Sequence, residues 1–189
     1  LMWRKNLQTM LLDGRITSKE FSPYQKLFSR LDQMHKIGYQ HILKIANEFD
    51  RQDPGYHLFQ HLSKPTLTNT HVLRLPEYIY DPQAPDRLFS AQAHVDLGAI
   101  TLQMLETAPG LIIEGFDNEL IDYKCNIEEG TVVAFIGDKF EQLTFGKYTA
   151  RPHGVLALAK ENRNSLMFFA HTEHKSRERD NQHVVFKES

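Results

Sequence analysis

The chain has 189 residues, 41% of them hydrophobic and 24% charged, a composition that predicts one globular domain with a sizeable buried core. Its formal net charge of -2 gives no general support for nucleic acid or an anionic membrane as a partner, and its single cysteine excludes an internal disulfide framework. No apolar run reaches the roughly 20 residues that a membrane-spanning helix requires.

The N-terminal third of the chain is predicted to be helical. Its main element is a long amphipathic helix that we expect to run from Ser22 to about Asn47, with Pro23 at the first helical position and Gln25 completing a capping box. Apolar residues recur along this helix at spacings of three and four, which predicts a stripe that packs against another element. A turn is expected at Asp53-Pro54-Gly55, followed by a short helix.

From about Thr70 the pattern changes to short strands. The predicted strands are 71–75, 88–96, 100–104, 111–114, 120–123, 131–136, 155–159 and 166–170. Short strands separated by polar turns are typical of a sandwich or a barrel. Because the helices come first and the strands follow, we expect a mostly β fold, a jelly-roll (double-stranded β-helix) core buttressed on one face by the long helix.

The same change of pattern predicts how the chain is divided. We expect one structural domain with an N-terminal helical buttress over residues 1–69, a jelly-roll catalytic core over residues 70–175 and a polar C-terminal tail over residues 176–189.

The candidate metal ligands are His94, Asp96 and His153, called the triad below. In a strand, residues two apart point to the same face, so His94 and Asp96 present an imidazole and a carboxylate side by side. A second imidazole from another strand would complete two histidines and one carboxylate, the ligand set of non-haem Fe(II) oxygenases. Arg163 and Ser165 follow at the start of the last strand, where the planar guanidinium could bind a carboxylate.

We expect the other histidine patterns not to bind a metal. His171-Thr172-Glu173 has the spacing of the first motif, but it enters a charged tail, so we interpret it as solvated. His57 and His61 are four apart, but no glutamate follows His57 as a zincin site would need, so we interpret both as surface or packing residues.

The sequence resembles a known family, the 2-oxoglutarate- and Fe(II)-dependent dioxygenases of the isopenicillin N synthase-like type. The resemblance covers roughly residues 70–170. The matching segments are Leu73-Arg74-Leu75-Pro76-Glu77-Tyr78, Ala93-His94-Val95-Asp96, Gly98-Ala99-Ile100-Thr101-Leu102, Ile136-Gly137-Asp138, Gly146-Lys147-Tyr148, His153 and Arg163-Asn164-Ser165-Leu166-Met167-Phe168-Phe169.

This resemblance implies a jelly-roll oxygenase whose triad binds Fe(II) and is catalytic. It further implies that Arg163 and Ser165 bind the distal carboxylate of the co-substrate 2-oxoglutarate, that Tyr78 helps to orient it, and that O2 is the oxidant. Two positions depart from the family pattern: Gly154 stands where the family usually has arginine, and Pro76 where it often has asparagine. The usual N-terminal segment also looks shortened, which predicts a reduced wall of the substrate pocket.

Three functions remain open at this point. The first is an oxygenase that hydroxylates a small molecule while 2-oxoglutarate and O2 become succinate and CO2. The second is an Fe(II) oxidase of the same fold that does not use 2-oxoglutarate, in which Arg163 and Ser165 bind a substrate carboxylate. The third is a catalytically degenerate jelly-roll binding module.

The remaining expectations concern location and partners. The single cysteine, Cys125, is typical of a reducing compartment, so we expect a cytoplasmic location. The chain begins at Leu1 rather than Met, which is compatible with a fragment of a longer protein. We expect a small-molecule substrate as the partner, rather than nucleic acid or a membrane, and leave the oligomeric state open.

Overall fold

The computed structural model describes residues 8–64, 71–83, 89–115, 117, 119–122, 132–156 and 161–172. The chain divides into two compact units, residues 1–37 and 38–189. Across the described ranges, none of the helices combines the length and the apolar character that spanning a bilayer would require. The predicted polar tail, residues 176–189, lies outside the described residues.

The long helix, α1, extends from Ser18 to Gln52 and begins four residues before the predicted start at Ser22. Thr17 is the residue that caps it. The Glu20 N–H donates to Thr17 Oγ1 at 3.2 Å, and the Thr17 N–H donates to Glu20 Oε2 at 2.7 Å, a reciprocal capping box. The predicted cap at Ser22 is therefore wrong. An acid in the first turn also suits the positive end of the helix dipole, and the helix continues through Pro23.

The elements after α1 are short. They are a 3₁₀ turn Pro54–Tyr56, α2 Leu58–Leu62, β1 Val72–Arg74, β2 Glu77–Tyr78, β3 Phe89–His94, β4 Ile100–Glu106, β5 Leu111–Glu114, β6 Leu120–Asp122, β7 Val133–Ile136, α3 Asp138–Leu143, β8 His153–Leu156 and β9 Arg163–Ala170.

The strands form two antiparallel sheets. The five-stranded sheet has the order β1-β9-β4-β7, with β2 also paired to β9, and the four-stranded sheet has the order β3-β8-β5-β6. Apart from the consecutive strands β5 and β6, neighbours in each sheet are far apart in sequence, as expected for the crossing connections of a jelly roll. The predicted fold class, a mostly β jelly roll with N-terminal helices, is confirmed.

Within residues 38–189, the outer face of the larger sheet packs against the second half of α1. Ile42 and Ala46 of α1 are fully buried against Leu102 of β4 and Phe168 of β9. Alternate residues of a strand point to opposite faces, so Arg163, Ser165, Met167 and Phe169 project from the inner face of β9. This alternation separates an apolar outer core from a polar interior, which contains the candidate site.

Candidate metal centre

The two predicted histidine ligands are opposite each other in one pair of strands. β3 and β8 are antiparallel, and His94 and His153 are cross-strand partners whose ring centroids are 4.5 Å apart. Nδ1 of His94 contacts the Gln92 carbonyl at 2.8 Å, and Nδ1 of His153 contacts the Arg151 carbonyl at 3.3 Å. A carbonyl only accepts hydrogen bonds, so each Nδ1 carries a proton, and each Nε2 is the ring nitrogen that faces Asp96 and is available to a metal.

Asp96 lies two residues beyond the end of β3 and completes the triad. Its Oδ1 is 3.4 Å from His94 Nε2 and 3.6 Å from His153 Nε2. Its Oδ2 accepts a hydrogen bond from Thr101 Oγ1 at 2.5 Å, which fixes the orientation of the carboxylate. One ligand atom from each residue of the triad lies within 4.8 Å of the others. The structure thus brings together all three residues that the sequence singled out as ligands.

The charge of Asp96 is set by these same contacts. Burial alone would raise its pKa, but the polar contacts with His153 and His94, the charge of His153 and the Thr101 hydroxyl hold the pKa well below its usual range. The contact with Asp96 in turn raises the pKa of His94, against the opposing effect of burial. Asp96 is therefore ionised at neutral pH, as a metal-binding carboxylate must be.

The loop that carries Asp96 is held by the start of α3. The Asp138 N–H donates to the Asp96 carbonyl at 2.8 Å, and the Lys139 N–H donates to the Gly98 carbonyl at 3.1 Å. A Cβ at position 137 would come within 2.6 Å of the Asp96 carbonyl oxygen, so only glycine permits this close approach. Gly137 therefore allows α3 to anchor the backbone of a metal ligand.

The donor set fits Fe(II). Imidazole and carboxylate are ligands that Fe(II) accepts, and ligands at about 2.1 Å and at right angles around a metal are about 3 Å apart. The separations of 3.4 and 3.6 Å are close to that value. His153 and Asp96 are almost fully buried, whereas the His94 side chain is 50% exposed. His94 therefore forms the solvent-facing side of the triad.

Arg163 and Ser165 lie together on the inner face of β9 and are both buried. Nη1 of Arg163 donates to Ser165 Oγ at 2.7 Å, and Nε donates to the Ala108 carbonyl at 3.0 Å. Tyr78 is the cross-strand partner of Arg163, with its ring centroid 5.1 Å from the guanidinium carbon. The structure thus brings together the three residues predicted to hold a carboxylate.

Glu106 is a partner of Arg163 that sequence reasoning missed. Its Oε2 accepts hydrogen bonds from Arg163 Nη2 and from Gln103 Nε2, and its side chain is 3% exposed. A β-bulge explains its position, since the register between β4 and β9 shifts between Gln103 and Leu105 and makes Glu106 the cross-strand partner of Ser165. Without that shift, simple alternation from Gln103 would direct Glu106 to the outer face.

The other histidines considered above, His171, His57 and His61, lie outside the triad. The solvated interpretation of His171 is wrong, because the side chain is half-buried and its backbone N–H donates to His71 Nδ1 at 3.1 Å. Burial and the charge of Arg74 lower the pKa of His171, while Asp96 acts in the opposite direction. His57 and His61 line a separate cavity of about 760 Å³ beside α3, and neither belongs to a cluster with metal-ligand geometry among the described residues.

Comparisons with known proteins identify the family of the chain. The family model of the 2OG-Fe(II) oxygenase superfamily matches residues 67–172, more than half of the chain. A solved structure from Caulobacter crescentus, described as a 2OG-Fe(II) oxygenase family protein, is 26% identical with a TM-score of 0.61, covering 83% of this chain and 50% of that chain. No curated protein matches the sequence.

Two further solved structures are similar in fold alone. One is described as an oxygenase from Shewanella oneidensis and is 19% identical with a TM-score of 0.60, covering 77% of this chain and 55% of that chain. The other is a full-length protein of Neurospora crassa in complex with alpha-KG and 5-formyluracil, 21% identical with a TM-score of 0.59, covering 81% of this chain and 50% of that chain. The chain thus spans about half the length of the proteins it matches.

Proposed function

The chain belongs to the 2OG-Fe(II) oxygenase superfamily, and we propose that it is an Fe(II)- and 2-oxoglutarate-dependent dioxygenase that hydroxylates a small-molecule substrate. The proposal rests on one observation above the others: the Nε2 atoms of two cross-strand histidines face one oxygen of Asp96 at 3.4 and 3.6 Å. In this proposal His94, Asp96 and His153 hold Fe(II).

Bound Fe(II) and 2-oxoglutarate would supply the oxidising chemistry, in which O2 and 2-oxoglutarate become succinate and CO2 and an oxygen atom is added to the substrate. The residues of the chain contribute position and charge. Thr101 keeps the Asp96 carboxylate turned toward the two imidazoles. The Gln92 and Arg151 carbonyls keep both imidazoles in the tautomer that can bind a metal.

The distal carboxylate of 2-oxoglutarate would bind at Arg163 and Ser165, with Tyr78 lining the same place. Guanidinium groups recognise carboxylates through a planar pair of N–H donors, and Ser165 adds a hydroxyl. Two of the five guanidinium N–H donors remain after the hydrogen bonds to Ala108, Ser165 and Glu106 are counted. The bound alpha-KG of the Neurospora crassa protein supports 2-oxoglutarate as the co-substrate.

An anaerobic titration tests this proposal. A 2-oxoglutarate chelate on Fe(II) gives a weak visible charge-transfer band, so we expect the band to rise and saturate in the wild-type protein. Ser165→Ala should weaken 2-oxoglutarate binding by roughly ten-fold, the effect of one hydrogen bond to a charged group. Succinate should then form on addition of O2. An iron-loaded protein that gives neither the band nor succinate would contradict the proposal.

One observation favours a second candidate, an Fe(II) oxidase of the same fold that does not take 2-oxoglutarate. Arg163 already has a buried anionic partner in Glu106, which would compete with an incoming dicarboxylate. The same titration separates the two candidates, because the oxidase would bind Fe(II) at the triad without producing a band with 2-oxoglutarate.

Two broader expectations belong to the proposal. The division into a helical segment, residues 1–69, a catalytic core, residues 70–175, and a tail, residues 176–189, is supported by the packing of Ile42 against Leu102 within residues 38–189. A cytoplasmic location is supported by the single cysteine of the chain.

A further inference from the structure

Arg74 occupies the edge strand β1, on the same sheet face as the metal centre. Arg74 is the cross-strand partner of Met167 in β9, and Met167 is in turn the partner of Gln103 in β4. Cross-strand partners share one face of a sheet. Residues two apart in a strand also share a face, so Arg74 lies on the face from which Thr101 donates its hydrogen bond to Asp96.

The guanidinium of Arg74 is held in place and exposed. Its central carbon lies over the Phe169 ring, 5.2 Å from the ring centroid, which is a cation–π contact. Among the residues the structure describes, no carboxylate forms an ion pair with Arg74, whereas Arg163 on the same sheet is paired with Glu106. A guanidinium that contacts an aromatic ring keeps N–H groups with which it can bind an anion.

His171 connects this guanidinium to the triad. The His171 ring lies against the loop that carries Asp96, because its Cε1 is 3.8 Å from the position that a Cβ on Gly98 would take. Besides burial, the charges of Arg74 and Asp96 both act on the pKa of His171, the first lowering it and the second raising it. Arg74 and Asp96 therefore both lie within electrostatic reach of His171.

We propose that Arg74, which lies over the Phe169 ring, is the substrate-binding residue for an anionic group, and that the substrate of this site is a small molecule carrying a carboxylate. The inference rests on the proposed function, because it assigns a substrate class to the same metal centre. A planar guanidinium that has no acidic partner within the described part of the chain matches a carboxylate in shape and charge and can bind it through two parallel hydrogen bonds. Arg163 binds the co-substrate, and Arg74 binds the molecule to be oxidised.

The test compares matched pairs of probes that differ only in charge. Benzoate with benzamide, and hexanoate with hexanamide, are titrated by calorimetry into the anaerobic protein loaded with Fe(II) and 2-oxoglutarate. We expect at least one carboxylate to bind about ten-fold or more tightly than its amide. Arg74→Gln should remove that preference, and Arg74→Lys, which keeps the charge but loses the planar fork, should retain part of it.

Arg51→Gln is the control variant, because it removes one positive charge from an exposed pair with Glu48 at the end of α1. Arg51→Gln should leave the preference for carboxylates over amides unchanged. The affinity for 2-oxoglutarate, measured through its charge-transfer band, should equal the wild-type value in Arg74→Gln, Arg74→Lys and Arg51→Gln. Equal binding of every carboxylate and its amide, or an undiminished preference in Arg74→Gln, overturns the inference. Loss of 2-oxoglutarate affinity in Arg74→Gln also overturns it, since Arg74 would then bind the co-substrate.

Failure of the proposed function gives a different result. If wild-type protein produces no band with 2-oxoglutarate but still prefers a carboxylate in a manner that depends on Arg74, the anion-binding subsite stands and the co-substrate assignment falls. The reverse result, a normal band without any carboxylate preference, leaves the co-substrate assignment and removes the subsite.

Discussion

Thr101 Oγ1 donates a hydrogen bond to Asp96 Oδ2 at 2.5 Å, while Asp96 Oδ1 faces the two histidines of the triad. The two oxygens of the carboxylate thus have separate tasks. One is held by the sheet, and the other is presented to the metal site. Thr101 is fully buried in β4, so this orientation is a property of the folded sheet rather than of the loop alone.

Thr101→Val should therefore weaken metal binding while leaving the fold intact. The valine fills nearly the same volume but cannot donate to Asp96, and loss of such a supporting contact lowers metal affinity by about 10- to 100-fold. Thr101→Ser keeps the hydroxyl and is the matched control. Fe(II) titration monitored by calorimetry measures the effect, and equal affinities in the two variants would show that Thr101 does not position the ligand.

Glu106→Gln should strengthen 2-oxoglutarate binding at the expense of stability. The substitution leaves the buried Arg163 without its anionic partner, which destabilises the ligand-free protein by about 3 kcal/mol. An incoming carboxylate would replace the lost charge, so 2-oxoglutarate should raise Tm more in this variant than in wild type. The exposed Glu48→Gln is the control. A smaller rise of Tm in Glu106→Gln than in wild type would mean that Glu106 assists co-substrate binding.

Gly38→Ala should destabilise the protein, although alanine favours helix formation by about 1 kcal/mol. A Cβ at position 38 would lie 2.7 Å from two ring carbons of the fully buried Phe168. Overpacking of this kind costs about 1–3 kcal/mol. Gly55→Ala, where no atom lies within 4 Å of the new Cβ, should be nearly neutral in the same urea unfolding experiment. A stabilised Gly38→Ala protein would contradict the described packing.

The contact of Asp53 with Lys147 predicts a pH-dependent contribution to stability. Asp53 Oδ2 accepts from Lys147 Nζ at 2.5 Å and from the Tyr148 hydroxyl at 3.1 Å. The hydrogen bond from Lys147 is the main cause that holds the pKa of Asp53 below its usual value. A lowered folded-state pKa means that the unfolded chain binds more protons, so this stabilisation is present above the unfolded pKa and is lost as pH falls through the folded one.

Asp53→Asn should accordingly lower Tm at neutral pH and have no effect on Tm at strongly acidic pH, where wild-type Asp53 is itself protonated. Lys147→Met should lower Tm in the same pH range. A Tm difference between Asp53→Asn and wild type that stays constant with pH would exclude this contribution.

The sequence predicts the chemistry of the site better than its geometry. The two-residue spacing of His94 and Asp96 has a direct structural meaning, since it brings the two side chains close together even though β3 ends at His94 and Asp96 lies in the loop beyond it. The pairing of His94 with His153 does not, because it depends on the register of two strands that are far apart in the chain. That register depends on contacts throughout the sandwich, so the pairing of the two histidines cannot be predicted from the sequence around either of them.

Sequence reasoning missed the position of Glu106 and placed the start of the long helix too late, because local rules were overridden in both places. The bulge in β4 turns Glu106 inward, and alternation of apolar and polar residues cannot predict where a strand gains an extra residue. At the start of α1, Thr17 with Glu20 and Ser22 with Gln25 both match a capping box. The carboxylate of Glu20 interacts more favourably with the positive end of the helix dipole than the amide of Gln25 would. The helix therefore begins before Ser22 and continues through it.

The most direct test of the central claim is the amount of Fe(II) bound per chain under anaerobic conditions in wild type, His153→Ala and His171→Ala. His171 lies near Asp96 but outside the triad, so it is a stringent control. We expect one Fe(II) per chain in wild type and in His171→Ala, and loss of stoichiometric binding in His153→Ala. Full occupancy in His153→Ala would contradict the triad as the metal site.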